Sequence, residues 1–124
     1  MVRIFFITAS ISMALAVILG AFGAHSLKEK ISPEMLAIFD TAVRYQIYHT
    51  LGIFIVAFFI HLFPSANISL SGWFFIFGIF LFSGSLYILA FAGIKWLGAV
   101  TPFGGLSFIL GWLYFAWKTF KTLL

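Results

Sequence analysis

The sequence predicts an all-α fold, a polytopic membrane protein built as a four-transmembrane-helix bundle. Three observations lead there. Hydrophobic residues make up 64% of the 124 and charged residues 8%, whereas a soluble domain carries about 25% charged residues. A small folded chain keeps a large share of its surface exposed, so this surplus of apolar surface has to face lipid. The apolar residues also gather in four runs, each near the roughly 20 residues that a helix needs to cross about 30 Å of hydrocarbon. These runs are too long for strands and lack the period-two alternation of an outer-membrane barrel.

The first helix is expected over about residues 4–24, an uncharged run behind Arg3. A secretory signal peptide is the rival reading, with the small residues Ala21 and Gly23 near a cleavage position. Signal h-regions are shorter, about 7–15 residues. The stretch from His25 to Arg44 is the charge-rich part, holding Lys28, Glu29, Lys30, Glu34 and Asp40. Within it, Ser32-Pro33-Glu34 reads as a helix start: a side-chain cap, a proline in the first turn, then an acid near the positive end of the helix dipole. The pattern Met35, Leu36, Ile38, Phe39, Ala42, Val43 is amphipathic. It predicts a short interfacial helix between the first two spans, or an extension of the second span out of the membrane.

The second span is expected over about residues 44–63, ending before Pro64. The link that follows, residues 64–71, is uncharged and carries Pro, Asn and Ser. The third span covers about residues 71–92, and Gly93–Gly98 connects it onward with Lys95 and Trp96. Thr101-Pro102 repeats the cap-then-proline signal and opens a fourth span over about residues 102–119, closed by Lys118 and Lys121.

Four crossings put both termini and the 64–71 link on one side, with Arg3, Lys118 and Lys121. The other side holds Lys28, Lys30, Arg44 and Lys95. Lys and Arg favour the cytoplasm, and these numbers nearly balance. The short basic N-terminus tips the expectation to a multi-pass plasma-membrane protein with both termini cytoplasmic. Trp73, Trp112 and Trp117 fall toward the terminal side and Trp96 toward the other, a pattern resembling aromatic belts.

The net charge of +4 sits at the ends of the apolar runs, with no basic patch interleaved with aromatics. Nucleic-acid binding is therefore not expected. The chain has no cysteine, which removes disulfides, thiolate nucleophiles and thiolate metal sites. Two histidines without a neighbouring carboxylate in the slab make no metal site, and no cofactor is expected. No G-x-S-x-G, H-E-x-x-H or phosphate-cradling loop occurs, so no enzyme is expected.

Helices in lipid associate by close packing more than by the hydrophobic effect. Small residues that serve this are Ser12, Ala16, Gly20 and Ala24 in the first span, and Gly104, Ser107 and Gly111 in the fourth. The third span offers Gly78 and Ser85, with Ser83 and Gly84 between. They either pack inside one bundle or join copies into a homo-oligomer.

Polar groups inside the slab are the candidates for chemistry. Asp40 and Arg44, four apart, form a helix-surface pair. The alternating topology brings the end of the first span, the start of the second, the end of the third and the start of the fourth to one face. That gathers His25, Tyr45, Gln46, His49, Tyr87 and Thr101 into a layer, with Ser83 and Ser85 deeper. Two readings stand. The groups hydrogen-bond across helices and satisfy one another, or they line a cavity that binds a small polar molecule or relays a proton through His49. His61 lies near the opposite end and has no assigned role.

Four stretches, Gly20-Ala-Phe-Gly-Ala-His25 with Leu27, Tyr45-Gln-Ile-Tyr-His49-Thr-Leu51, Leu81-Phe-Ser-Gly-Ser-Leu-Tyr87 and Thr101-Pro-Phe-Gly-Gly105 followed by Gly111-Trp112, occur in this order along the chain. Together they resemble the YgdD/YwdK-type bacterial inner-membrane proteins, the domain-of-unknown-function family 423. The resemblance implies a four-helix plasma-membrane protein and supplies no activity. Its motif positions fall on Gly20, Gly23, His25, Tyr45, Gln46, His49, Ser83, Gly84, Ser85, Tyr87, Thr101, Pro102, Gly104 and Gly105. Asp40 and Arg44 lie outside it.

The expected function is non-catalytic: an integral membrane protein in the lipid bilayer that packs with itself or with a membrane-protein partner. The alternative is a small transporter or proton-coupled carrier with a polar site near His49. A membrane enzyme acting on lipid ranks third, supported only by the His/Tyr/Ser cluster.

Overall fold

A computed structural model describes residues 1–124. It contains four long helices: α1 (Val2–His25), α2 (Pro33–Leu62), α3 (Ser69–Ala92) and α4 (Thr101–Leu123). All four are long and apolar enough to cross a membrane. The shortest, with 23 residues, extends about 35 Å at 1.5 Å per residue.

Local chemistry sets most of the boundaries. The Ser32 hydroxyl accepts a hydrogen bond from the Met35 amide at 3.2 Å, and Pro33 opens α2 as expected. The amphipathic stretch behind Ser32 is the first part of α2, burying Phe39, Ala42 and Val43 and exposing Glu34 and Asp40. The separate helical piece between α1 and α2 is the single turn Leu27–Glu29. Pro64 stops α2, and Asn67 turns the chain back at φ 47°, a left-handed conformation that Asn tolerates better than most residues. Gly93 ends α3 at φ 67°, where its N–H donates to the Leu89 carbonyl at 2.9 Å.

Two local features depart from expectation. Thr101 does not cap α4, which starts from Val100 without a side-chain cap. Its hydroxyl is engaged elsewhere, with Ser85 Oγ at 2.7 Å. The middle of α3 is also not α-helical: Ile79–Gly84 forms a π-helical turn. Such wide turns are uncommon and occur often at functional sites.

The helices form a bundle with α2 and α3 as its central pair. α1 lies along α2, and α4 lies along α3. Aromatic rings from α1 and α3 meet at both ends: Phe5 against Trp73, with ring centroids 5.6 Å apart, and Phe22 against Phe91 at 6.1 Å. One core cluster, around Phe5, Ile53, Val56, Phe75 and Phe108, fills the half nearer the termini. A smaller cluster of Leu27, Phe39, Val43 and Ala90 fills the other end.

Several of the small residues make contacts within this chain. A Cβ on Gly104 would collide with the Phe82 backbone, and one on Gly78 would collide with the Phe108 ring. Gly111 seats Phe75 in the same way. Ala16 is fully buried, and a Cβ on Gly20 would rest 3.4 Å from Val43, so this stripe of α1 is turned to α2. Ala24 is exposed, and the Cβ position of Gly84 has only its own-turn Ile79 carbonyl nearby, at 4.0 Å. A Cβ at position 84 would therefore meet no neighbouring helix. Trp112, expected in an aromatic belt, sits halfway along α4 against Gly52 and the Phe75 ring.

Candidate functional site

The fold distributes the candidate polar residues among separate groups. The largest joins three helices. Gln46 of α2 donates from Nε2 to the Ser12 carbonyl of α1 at 2.9 Å, and its Oε1 accepts from the Tyr87 hydroxyl of α3 at 2.6 Å. The Ser12 and Thr50 hydroxyls meet at 2.6 Å. Residues 46 and 50 are one turn apart on α2, so both face α1. A buried amide with both ends occupied avoids the cost of an unpaired polar group in an apolar medium.

A second group ties α3 to its neighbours. Ser83, fully buried in the π-helical turn, donates to the Ala42 carbonyl of α2 at 2.7 Å. Ser85 meets Thr101 of α4 and lies 2.9 Å from the Phe82 carbonyl. Deeper along the same pair, Ser107 of α4 donates to the Phe74 carbonyl at 2.6 Å.

His49 stands apart from both groups. One ring nitrogen, Nδ1, lies 2.8 Å from the Tyr45 carbonyl one turn back. The ring lies flat on Phe108, with centroids 3.4 Å apart and 8° between planes. Phe75 and Trp112 approach it at 5.7 and 6.0 Å. Tyr45 is partly exposed and stacks on Phe82 at 4.5 Å. The histidine thus sits in an aromatic enclosure between α2 and α4.

His25 is exposed at the last turn of α1 and lies outside these groups. No three His, Cys, Asp or Glu side chains come together as a metal ion would require. Asp40 and Arg44 form an exposed pair at 3.1 Å on the surface of α2. Of the sequence-derived candidates, the fold therefore joins Gln46 to Tyr87 and Ser85 to Thr101, anchors Ser83 on the α2 backbone, and leaves His25 outside.

Sequence reasoning missed Thr50 and gave Ser12 only a packing role. A signal was available, since residues 46 and 50 lie one turn apart on α2. The aromatic enclosure of His49 had no comparable signal, because Phe occurs 18 times and most of those rings lie elsewhere.

A family model described as "Protein of unknown function (DUF423)" matches residues 19–105, which include the Gln46–Tyr87 and Ser85–Thr101 pairs. The chain belongs to this family. The UPF0382 membrane protein YwdK of Bacillus subtilis (strain 168) is 47% identical over 112 residues, covering 90% of this chain and 91% of that protein. A UPF0382 membrane protein of Staphylococcus saprophyticus is 44% identical over 119 residues, covering 96% and 98%. One of Staphylococcus epidermidis is 43% identical, also over 119 residues, covering 96% and 97%. No solved structure matches. The chain is accordingly a multi-pass membrane protein with bacterial relatives, in a family to which no activity is assigned.

Proposed function

We propose that this chain is a non-catalytic plasma-membrane protein that works by association within the bilayer, with a second copy or with a larger membrane protein. One observation carries the reading. The polar side chains at the centre of the candidate layer, Gln46, Ser83, Ser85, Tyr87 and Thr101, each hydrogen-bond another group of the same chain. Groups held in this way stabilise a bundle, and few donors or acceptors are left for a polar substrate. Chemical cross-linking in native membranes, followed by mass measurement of the purified complex in mild detergent, tests the proposal. A stable monomer that captures no partner in either measurement would overturn it.

A small proton-coupled carrier is the competing reading, supported by an ionisable group, His49, buried inside the slab. Its ring stacks on Phe108 instead of facing an open polar path, which weighs against a relay. Proteoliposomes showing proton or solute flux that disappears in His49→Ala would favour the carrier. We further propose that both termini face the cytoplasm, with the short basic N-terminus as the support. The chain has no native cysteine, so single cysteines at Lys121 and Lys28 can be labelled from one side of intact cells. Labelling of the Lys121 position by an impermeant reagent from outside would reverse the assignment.

A further inference from the structure

Between the two aromatic contacts that join the ends of α1 and α3, the helices stand apart and leave a slot of about 390 Å³. The slot extends along α1 from Thr8 to Leu19 and along α3 from Ile76 to Tyr87, with Gln46 and Ile53 of α2 as its floor. Eleven helical steps correspond to about 16 Å, roughly half the thickness of the hydrocarbon core. Phe5 meets Trp73 beyond one end of the slot and Phe22 meets Phe91 beyond the other. The mouth is lateral, since the rim residues Ile11, Leu15 and Phe80 are 57%, 49% and 73% exposed. In a bilayer this mouth faces lipid chains.

Two further features bear on what fits inside. First, the polar atoms of the floor are engaged: Gln46 with Ser12 and Tyr87, Ser12 with Thr50, and Ser83 with the Ala42 carbonyl. Thr8 has the remaining hydroxyl along the slot, and no side chain lining it carries a charge. Apolar cavities of this kind stay dry and accept apolar guests. Second, the α3 wall is the π-helical turn: Ile79, Phe80, Ser83 and Gly84 all line the slot. Gly84 is the point where that wall is empty, since a Cβ there would meet no neighbouring helix.

We propose that this slot binds a single uncharged hydrocarbon chain, the acyl chain of a bilayer lipid, admitted sideways from the membrane. A flexible chain can pass the side-chain rim and lie along the uncharged trench between α1 and α3. The slot lies between α1 and α3, away from the His49 enclosure between α2 and α4. It therefore stands independently of any role for His49.

The test uses the full chain in phosphatidylethanolamine vesicles containing a small fraction of phosphatidylcholine with a diazirine midway along one acyl chain. After photolysis, cross-linked residues are mapped by peptide mass spectrometry. The expected result is an excess of labelling on the slot faces of α1 and α3 over the outward face of α4, represented by Leu106, Ile109 and Leu113. Gly84→Leu and Leu15→Trp fill the slot from opposite walls, and each should abolish that excess while leaving α4 labelling unchanged. Should Gly84→Leu fail to fold, Leu15→Trp on the exposed rim decides the question alone. Even labelling of all lipid-facing surfaces would overturn the proposal, as would an excess that survives in every folded variant. Protection of the slot from lipid by a protein chain cross-linked across it would also overturn it, with a transmembrane helix as the occupant.

Discussion

The two faces of α3 are built on opposite plans. Toward α4 the helix is closed tightly: Gly78 receives Phe108, Phe82 rests on Gly104, and Phe75 fills the space beside Gly111. Toward α1 the same helix stands clear over about three turns, and Gly84 faces empty space. Both faces contain glycine, yet glycine permits backbone contact on one and leaves a void on the other. A small residue in a membrane helix therefore shows where close approach is allowed, and the opposing side chain determines whether it occurs.

Substitutions that separate the two faces give the largest effects. Gly104→Leu should cost about 3 kcal/mol or more, because overpacking costs about 1–3 kcal/mol even where side chains can yield, and here the obstacle includes the Phe82 backbone. The expected readout is loss of a monodisperse species, or a steep drop in the detergent unfolding midpoint. A Gly104→Leu protein as stable as the parent would show that the α3–α4 contact is looser than described.

The border between the faces is the Gln46 network, and its effects should be smaller. Gln46→Leu removes the bonds to the Ser12 carbonyl and the Tyr87 hydroxyl and leaves both without Gln46. Hydrogen bonds between membrane helices contribute about 0.6 kcal/mol on average and up to about 2. A destabilisation of about 1–2 kcal/mol is expected, with Tyr87→Phe costing less than Gln46→Leu. Equal effects from the two would mean that the Ser12 bond contributes nothing.

On the open face the sign should reverse. Gly84→Ala adds a methyl group where there is room, and alanine is favoured over glycine in a helix by about 1 kcal/mol. The unfolding midpoint should hold or rise, whereas Gly104→Ala should lower it. The smallest effect is expected far from either face. Asp40→Asn breaks an exposed i,i+4 pair whose side chains are 57% and 64% exposed, worth at most about 0.5 kcal/mol. A larger loss at Asp40 would mean that the start of α2 carries stability not visible in its contacts.

The fold was legible in the sequence because each signal was local. Uncharged runs near 20 residues long, Ser32-Pro33, Pro64 and Gly93 all act within one helix or one turn, although α2 starts at Pro33, about eleven residues before the uncharged run that placed the second span at 44. The candidate site was only half legible. Helix register and alternating topology place Gln46 near Tyr87 and Ser85 near Thr101. They say nothing about which partner a hydroxyl takes, and Thr101 illustrates this by turning to Ser85 instead of capping its own helix. The π-helical turn at Ile79–Gly84 left no mark in the apolar pattern, since every residue from Phe74 to Phe82 is either glycine or a large hydrophobe.

By itself, the chain of residues determined that four helices form, that they belong in lipid, and roughly where each begins and ends. Those outcomes depend on the free energy of moving apolar side chains and backbone dipoles between water and hydrocarbon, summed along a segment. Tertiary structure alone decided which glycines are closed and which are open, that His49 is stacked between rings, and that α1 and α3 part to leave a slot. These depend on side chains distant in sequence meeting at one height in the bundle, and excluded volume between helices is not written in either helix alone.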